Sequence, residues 1–101
     1  MIHVVASIRI KPGQRSAFVE LFNANVPAVL AEEGCIEYSP TVDAATDIDA
    51  QELEGHCVTV IEKWESLDAL KAHLEAPHML AFREKAGGLV DSVSLKVLEN
   101  A

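Results

Sequence analysis

The sequence predicts an α+β fold in which a four-stranded antiparallel sheet carries its helices on one face, in the chain order β-α-β-β-α-β. Three observations carry this reading. Residues from Ile2 to Lys11 alternate with period two, Phe18, Leu21, Phe22 and Val29 recur at helical spacing, and the second half of the chain repeats the strand-helix-strand order.

The first strand, β1, places Ile2, Val4, Ala6, Ile8 and Ile10 on one face and His3, Val5, Ser7, Arg9 and Lys11 on the other. Lys11-Pro12-Gly13 breaks it, and α1 follows from Gln14 to about Glu33, ended by Gly34. Pro27 inside α1 removes one backbone donor and crowds the carbonyl of Asn23, which predicts a kink or a restart near Val26. Cys35 to Val42 reads as β2, with Pro40 marking an edge position or an early end. Asp43 to Gly55 is acidic and poor in apolar residues, a long hairpin connection or an arm reaching elsewhere.

His56 to Glu65 is β3, with Val58, Val60, Glu62 and Trp64 on one face and Cys57, Thr59, Ile61 and Lys63 on the other. Ser66 supplies an N-cap for α2, whose inner stripe is Leu67, Leu70 and Leu74. Pro77 opens α3, which runs to about Ala86 with Met79, Phe82 and Ala86 inward and Gly87-Gly88 as its stop. Leu89 to Leu98 is β4. The sheet face away from the helices carries Val5, Ile61 and Val97 in this reading, and a second copy of the same sheet is the expected cover.

Length and charge narrow the function. A chain of 101 residues makes one domain, and a domain this small buries about 60–70% of its unfolded surface, so help from a partner subunit is expected. Sixteen acidic against eight basic residues give a net charge of −8, which repels nucleic acid and anionic membrane surfaces. No stretch approaches the ~20 apolar residues of a membrane span, and Met1 to Ile10 lacks the unbroken apolar run of a secretory leader, so a cytoplasmic location is expected. Cys35 and Cys57 lack CxxC spacing and read as free thiols.

Chemistry-bearing residues gather between Val58 and Lys85. Trp64, the sole tryptophan, offers a broad apolar face and one N–H donor suited to stacking on an aromatic ring, although such a residue also suits a core. His73 sits at the edge of the α2 stripe and titrates near neutral pH, which suits removal of a phenolic proton; a histidine bonded to a carbonyl is the alternative. His78 lies in the first turn of α3, where the helix dipole favours the neutral form, or it braces the turn after α2. Glu62 shares the face of Trp64 and is placed to orient a histidine or to pair with a cation. Asn25 interrupts the apolar stripe of α1, where it either bonds backbone before Pro27 or lines a pocket. His3, His56, His73 and His78 show no HxxxH-type spacing, so no metal site is expected, and there is no Gly-rich phosphate loop.

The string from Glu62-Lys63-Trp64-Glu65-Ser66 through His73 to Pro77-His78, with Phe82 following, closely resembles the antibiotic biosynthesis monooxygenase family, which includes quinol monooxygenases. Lys11-Pro12-Gly13 before α1, and Glu32-Glu33-Gly34-Cys35 with Tyr38 after it, carry the same resemblance; the 43–55 connection is longer than usual. The resemblance implies a ferredoxin-like fold paired as a homodimeric α+β barrel, with a pocket between sheet and helices in each subunit. It implies an oxidation of a quinol or polyphenolic substrate by dioxygen with no cofactor. Asn25 and Trp64 would orient the ring, catalytic His73 or else His78 would take the proton, and Phe22, Tyr38, Glu62, His78 and Phe82 would bind the substrate. Relatives can carry an asparagine four residues before the tryptophan, where Val60 stands here, and the haem-degrading branch carries an axial histidine where Arg83 stands. The same family holds isomerases of small hydroxyketones, and a non-catalytic dimeric binding or stress-response protein fits the same residues.

Overall fold

The computed structural model describes residues 1–101. The strands β1 (Ile2–Ile10), β2 (Cys35–Thr41), β3 (Cys57–Trp64) and β4 (Val90–Glu99) form one antiparallel sheet in the order β2-β3-β1-β4. The helices α1 (Arg15–Leu30), α2 (Leu67–Leu74) and α3 (Pro77–Ala86) lie on one face, and a 3₁₀ turn over Gly87–Leu89 leads into β4. This is the predicted β-α-β-β-α-β order, an α+β ferredoxin-like arrangement.

The period-two reading of β1 and β3 holds residue by residue. Val4 faces Glu62, Ala6 faces Val60 and Ile8 faces Val58, and all of these are buried against the helices together with Phe18, Phe22, Val29, Tyr38 and Trp64. Ser66 caps α2 as expected, its hydroxyl accepting from the Ala69 N–H at 3.1 Å. Three expectations need correction. Of the α2 stripe only Leu70 is buried, with His73 beside it, while Leu67 and Leu74 are exposed. Of the kink or restart expected at Pro27, no restart occurs: α1 runs on to Leu30, its last turn anchored by the fully buried Val29. Val97 pairs with Val4 and therefore points to the helix side, while Lys96 and Leu98 take the opposite face. β4 has apolar residues on both faces, so its pattern alone leaves the register ambiguous.

The 43–55 segment is the hairpin connection between β2 and β3. It is tied internally by Asp43 accepting from the Glu54 N–H at 2.6 Å, to the sheet by Arg9 donating to Glu54 at 3.0 Å, and to the start of α1 by Arg15 donating to the Gly55 carbonyl at 2.8 Å. Both cysteines are free.

Gly34 turns the chain from α1 into β2 at φ +83°, and a Cβ there would lie 2.7 Å from the Ala69 side chain. Gly34→Ala is therefore expected to lower stability by roughly 1–3 kcal/mol, through left-handed backbone strain and the shift imposed on α2. Chemical denaturation checks this; an unchanged midpoint would contradict it.

Candidate functional site

The sheet and helices enclose a cavity of about 260 Å³. Its floor is the helix-facing side of β1 and β3 through Ala6, Ile8 and Val60, and its far wall is the uncovered β4 through Val90, Val93 and Leu95. The near wall is aromatic. Phe22 stacks on Tyr38 with centroids 5.1 Å apart, and Phe82 meets Phe18 and Phe22 edge-on at 5.9 and 5.6 Å. These rings come from α1, β2 and α3, so the cavity exists only because the split topology brings three distant segments together.

Few ionisable groups interrupt this apolar lining. Glu62 and His73 lie on the wall, and Arg83 stands beside Leu74, holding the end of α2 by donating to the Leu74 carbonyl at 2.7 Å. His73, only 2% exposed, lies against the Trp64 ring at 4.6 Å and edge-on to Tyr38 at 5.3 Å. Its Nδ1 hydrogen-bonds Glu32 Oε2 at 2.9 Å, and His78 Nε2 hydrogen-bonds the same oxygen at 2.8 Å. Trp64 Nε1–H donates to Glu62 Oε1 at 3.0 Å.

Every buried side-chain nitrogen or oxygen has a hydrogen-bond partner. His73 Nε2, Glu62 Oε2 and the Tyr38 hydroxyl make no hydrogen bond to protein, so each must reach accessible space, and the space these residues line is the cavity. Three polar atoms without protein partners thus open onto an apolar chamber. Their environments tune them. Burial pushes the His73 pKa down from its usual 6.5, against the opposing pull of the Glu32 carboxylate, which keeps the imidazole neutral near pH 7. Burial pushes the Glu62 carboxyl up from 4.5 despite the Trp64 hydrogen bond, and raises the Tyr38 hydroxyl well above its ordinary value.

A raised Glu62 pKa carries a sign. Between pH 4.5 and the folded-state pKa the native protein holds a proton that the unfolded chain has released, so stability falls as pH rises through that interval. Glu62→Gln keeps an acceptor for Trp64 without the buried charge. Its melting temperature is expected to exceed that of the parent protein at neutral pH, with the difference shrinking toward pH 4.5; a variant less stable at pH 7 would contradict this.

The residues singled out from sequence separate into three places. Phe22, Tyr38, Glu62, His73 and Phe82 line the cavity. Trp64 is completely buried behind it, in contact with His73 and bonded to Glu62. Asn25 and His78 line a neighbouring groove between α1 and α3 with Leu21, Ala24 and Lys85, and Phe82 borders both spaces. Asn25 donates to the Met79 sulfur at 3.3 Å, tying α1 to α3. Glu62 does not orient a histidine; Glu32 does. Sequence reasoning named Glu32 and Arg83 only within the family resemblance and gave neither a place among the site residues. A carboxylate just past the C-terminus of α1 is disfavoured by the helix dipole, and that mismatch was the available sign that Glu32 has other partners.

No group of three or more His, Cys, Asp and Glu side chains is arranged to hold a metal ion. No helix is long and apolar enough to cross a membrane.

Comparison with known proteins agrees with the geometry. Residues 1–85 match the family model described as Antibiotic biosynthesis monooxygenase. The chain is 42% identical over 101 residues to "Probable quinol monooxygenase YgiN" of Escherichia coli K12, covering 98% of this chain and 97% of that protein. The solved structure of Rv0793 from Mycobacterium tuberculosis superposes with a TM-score of 0.81 at 29% identity, over 99% of this chain and 94% of that one. PA3566 from Pseudomonas aeruginosa gives 0.82 at 26% identity, over 99% and 93%.

Proposed function

The chain belongs to the antibiotic biosynthesis monooxygenase family, and from that premise we propose that it is a cofactor-independent monooxygenase that oxidises a small quinol with dioxygen. The observation that carries this reading is the set of three unpartnered polar atoms, His73 Nε2, Glu62 Oε2 and Tyr38 Oη, in an otherwise apolar and aromatic cavity. A planar phenolic ring fits between the aromatic walls, and its hydroxyls meet those atoms. A volume of about 260 Å³ lies just below the ~300 Å³ lower end of common ligand pockets, which suits a substrate of one or two rings.

His73 Nε2 takes the hydroxyl proton and leaves an electron-rich quinolate. The ring transfers electrons to dioxygen, a C–O bond forms at a ring carbon, and the O–O bond breaks. One oxygen stays on the ring and the other leaves as water. A hydroquinone and one dioxygen thus give a hydroxyquinone and one water; the ring supplies all four electrons, and no external reductant enters. The apolar walls exclude water from the carbanionic intermediate. Neighbouring Trp64 fixes His73 by ring contact and Glu62 by hydrogen bonding, and Asn25 holds α3 against α1.

Oxygen uptake by chelator-treated protein supplied with one- and two-ring quinols tests the reading. Uptake that is unaffected by chelation and equal to quinol consumed is expected. Its absence across the panel, with isomerisation of small hydroxyketones in its place, would overturn it.

The bare sheet face, with Val5 and Ile61 half-buried and Leu98 exposed, supports pairing with a second copy. Sedimentation is expected to give a homodimer; a monomer at micromolar concentration would contradict this.

A further inference from the structure

We infer that Glu32 is the positioning carboxylate of the site: it locks His73 as the Nδ1–H tautomer, so that the Nε2 lone pair faces the cavity, and His78 holds Glu32 in place. The inference rests on the reading of His73 as the base, but its structural half stands apart from catalysis.

One oxygen, Glu32 Oε2, receives both imidazoles, at 2.9 Å from His73 Nδ1 and 2.8 Å from His78 Nε2. A carboxylate only accepts hydrogen bonds, so both ring nitrogens facing it must carry protons. A neutral His73 has one N–H, and with that proton on Nδ1 its Nε2 is left as an acceptor. Nε2 is the atom without a protein partner that opens on the cavity. The side chains become more exposed in order, 2% for His73, 14% for Glu32 and 29% for His78, so His78 screens the carboxylate from the groove between α1 and α3. Glu32 also supplies the one negative charge bonded to His73. When Nε2 takes the substrate proton, that charge balances the imidazolium inside an apolar site.

The two histidines come from α2 and α3, and Glu32 follows α1, so one carboxylate also joins three elements. A purely structural tie would be satisfied by any hydrogen-bonding side chain; a tautomer lock requires an acceptor. Glu32→Gln removes the charge, and because its amide can present either an oxygen or an NH₂ to Nδ1, the tautomer is no longer held one way.

The groups facing His73 are Glu32 beyond α1, Tyr38 of β2, Glu62 and Trp64 of β3, and His78 and Arg83 of α3. Among them Glu32 raises the His73 pKa, while His78 and Arg83 lower it. Removing the Glu32 charge therefore moves the acid limb of kcat/KM to lower pH.

Nitrogen-15 NMR of the histidine rings in the substrate-free parent protein is the direct test. Protonated Nδ1 and unprotonated Nε2 at His73 are expected; a protonated Nε2 in the neutral ring overturns the inference whether or not the protein consumes oxygen. In Glu32→Gln we expect the Nδ1–H tautomer to lose its exclusive hold, kcat to fall by roughly 10²- to 10⁴-fold with KM moved far less, and the residual acid limb to shift downward. Glu32→Asp, which keeps the charge, recovers part of kcat and the parent tautomer. An unchanged kcat and pH profile in Glu32→Gln would overturn the inference. A correct tautomer in a protein that consumes no oxygen would overturn the monooxygenase reading and leave the lock standing.

Discussion

His73→Asn is expected to lower kcat for quinol oxidation by roughly 10²- to 10⁴-fold while leaving the fold intact. The range is that of a single general base removed from an enzyme. Asparagine is chosen because its amide N–H can replace Nδ1–H as a donor to Glu32, so the join between the end of α1 and α2 survives. The base at Nε2 does not. In the parent protein the low His73 pKa keeps the imidazole neutral at pH 7, so kcat/KM should rise with pH through a value below 6.5 and then flatten. The residual rate of the asparagine variant should lack that limb. Steady-state oxygen uptake across pH 5 to 8 reads both effects. A variant that keeps the parent rate would exclude His73 as the base and point to Glu62, whose Oε2 has no protein partner and whose side chain lines the same cavity.

Trp64→Ala is expected to have the largest effect on stability, a loss of roughly 3–5 kcal/mol. Trp64 is completely buried, and its removal opens a void beneath His73 and deprives Glu62 of its hydrogen-bond donor. Against the ~5–15 kcal/mol that holds a small domain together, such a loss removes from about a fifth to all of the margin. Trp64→Phe separates bulk from hydrogen bonding. It retains most of the ring but not Nε1–H, which helps to hold the Glu62 pKa down, so Glu62 should become still harder to ionise. Urea denaturation of both variants, with the pH dependence of the phenylalanine variant, checks this. A Trp64→Ala protein of parental stability would mean that the ring contributes to ligand contact and not to the core.

Much of this architecture was legible in the residues. The alternation in β1 and β3 predicted which side chains meet the helices, because both strands are flanked by neighbours and only one of their faces is covered by helices. The Ser66 cap and the Pro77 opening of α3 are local signals and depend on little else. β4 was harder. It lies at the sheet edge with no helix above it, and Val93 and Leu95 line the cavity with Val97 on the same face, while Leu98 faces the bare side, so alternation does not sort its faces. At Pro27 the helix does not restart, since packing that only the tertiary fold reveals carries α1 on to Leu30.

The candidate site was legible by residue type and less so by geometry. Tyr38, Glu62, His73 and Phe82 do come together, but Trp64 lies behind them and Asn25 faces the neighbouring groove. Side-chain depth depends on how α2 and α3 tilt over the sheet, which periodicity does not encode. Glu32 was hidden by its neighbour Glu33, since nothing in an acidic pair at a helix end tells which carboxylate turns inward to meet two histidines 41 and 46 residues away.

The most direct test of the account is the fate of oxygen atoms in a turnover of a one- or two-ring quinol under ¹⁸O₂. The account predicts one ¹⁸O atom in the hydroxyquinone product, the other in water, and none incorporated from H₂¹⁸O in the converse experiment. A product that carries no label from dioxygen, or that takes its new oxygen from water, would contradict it.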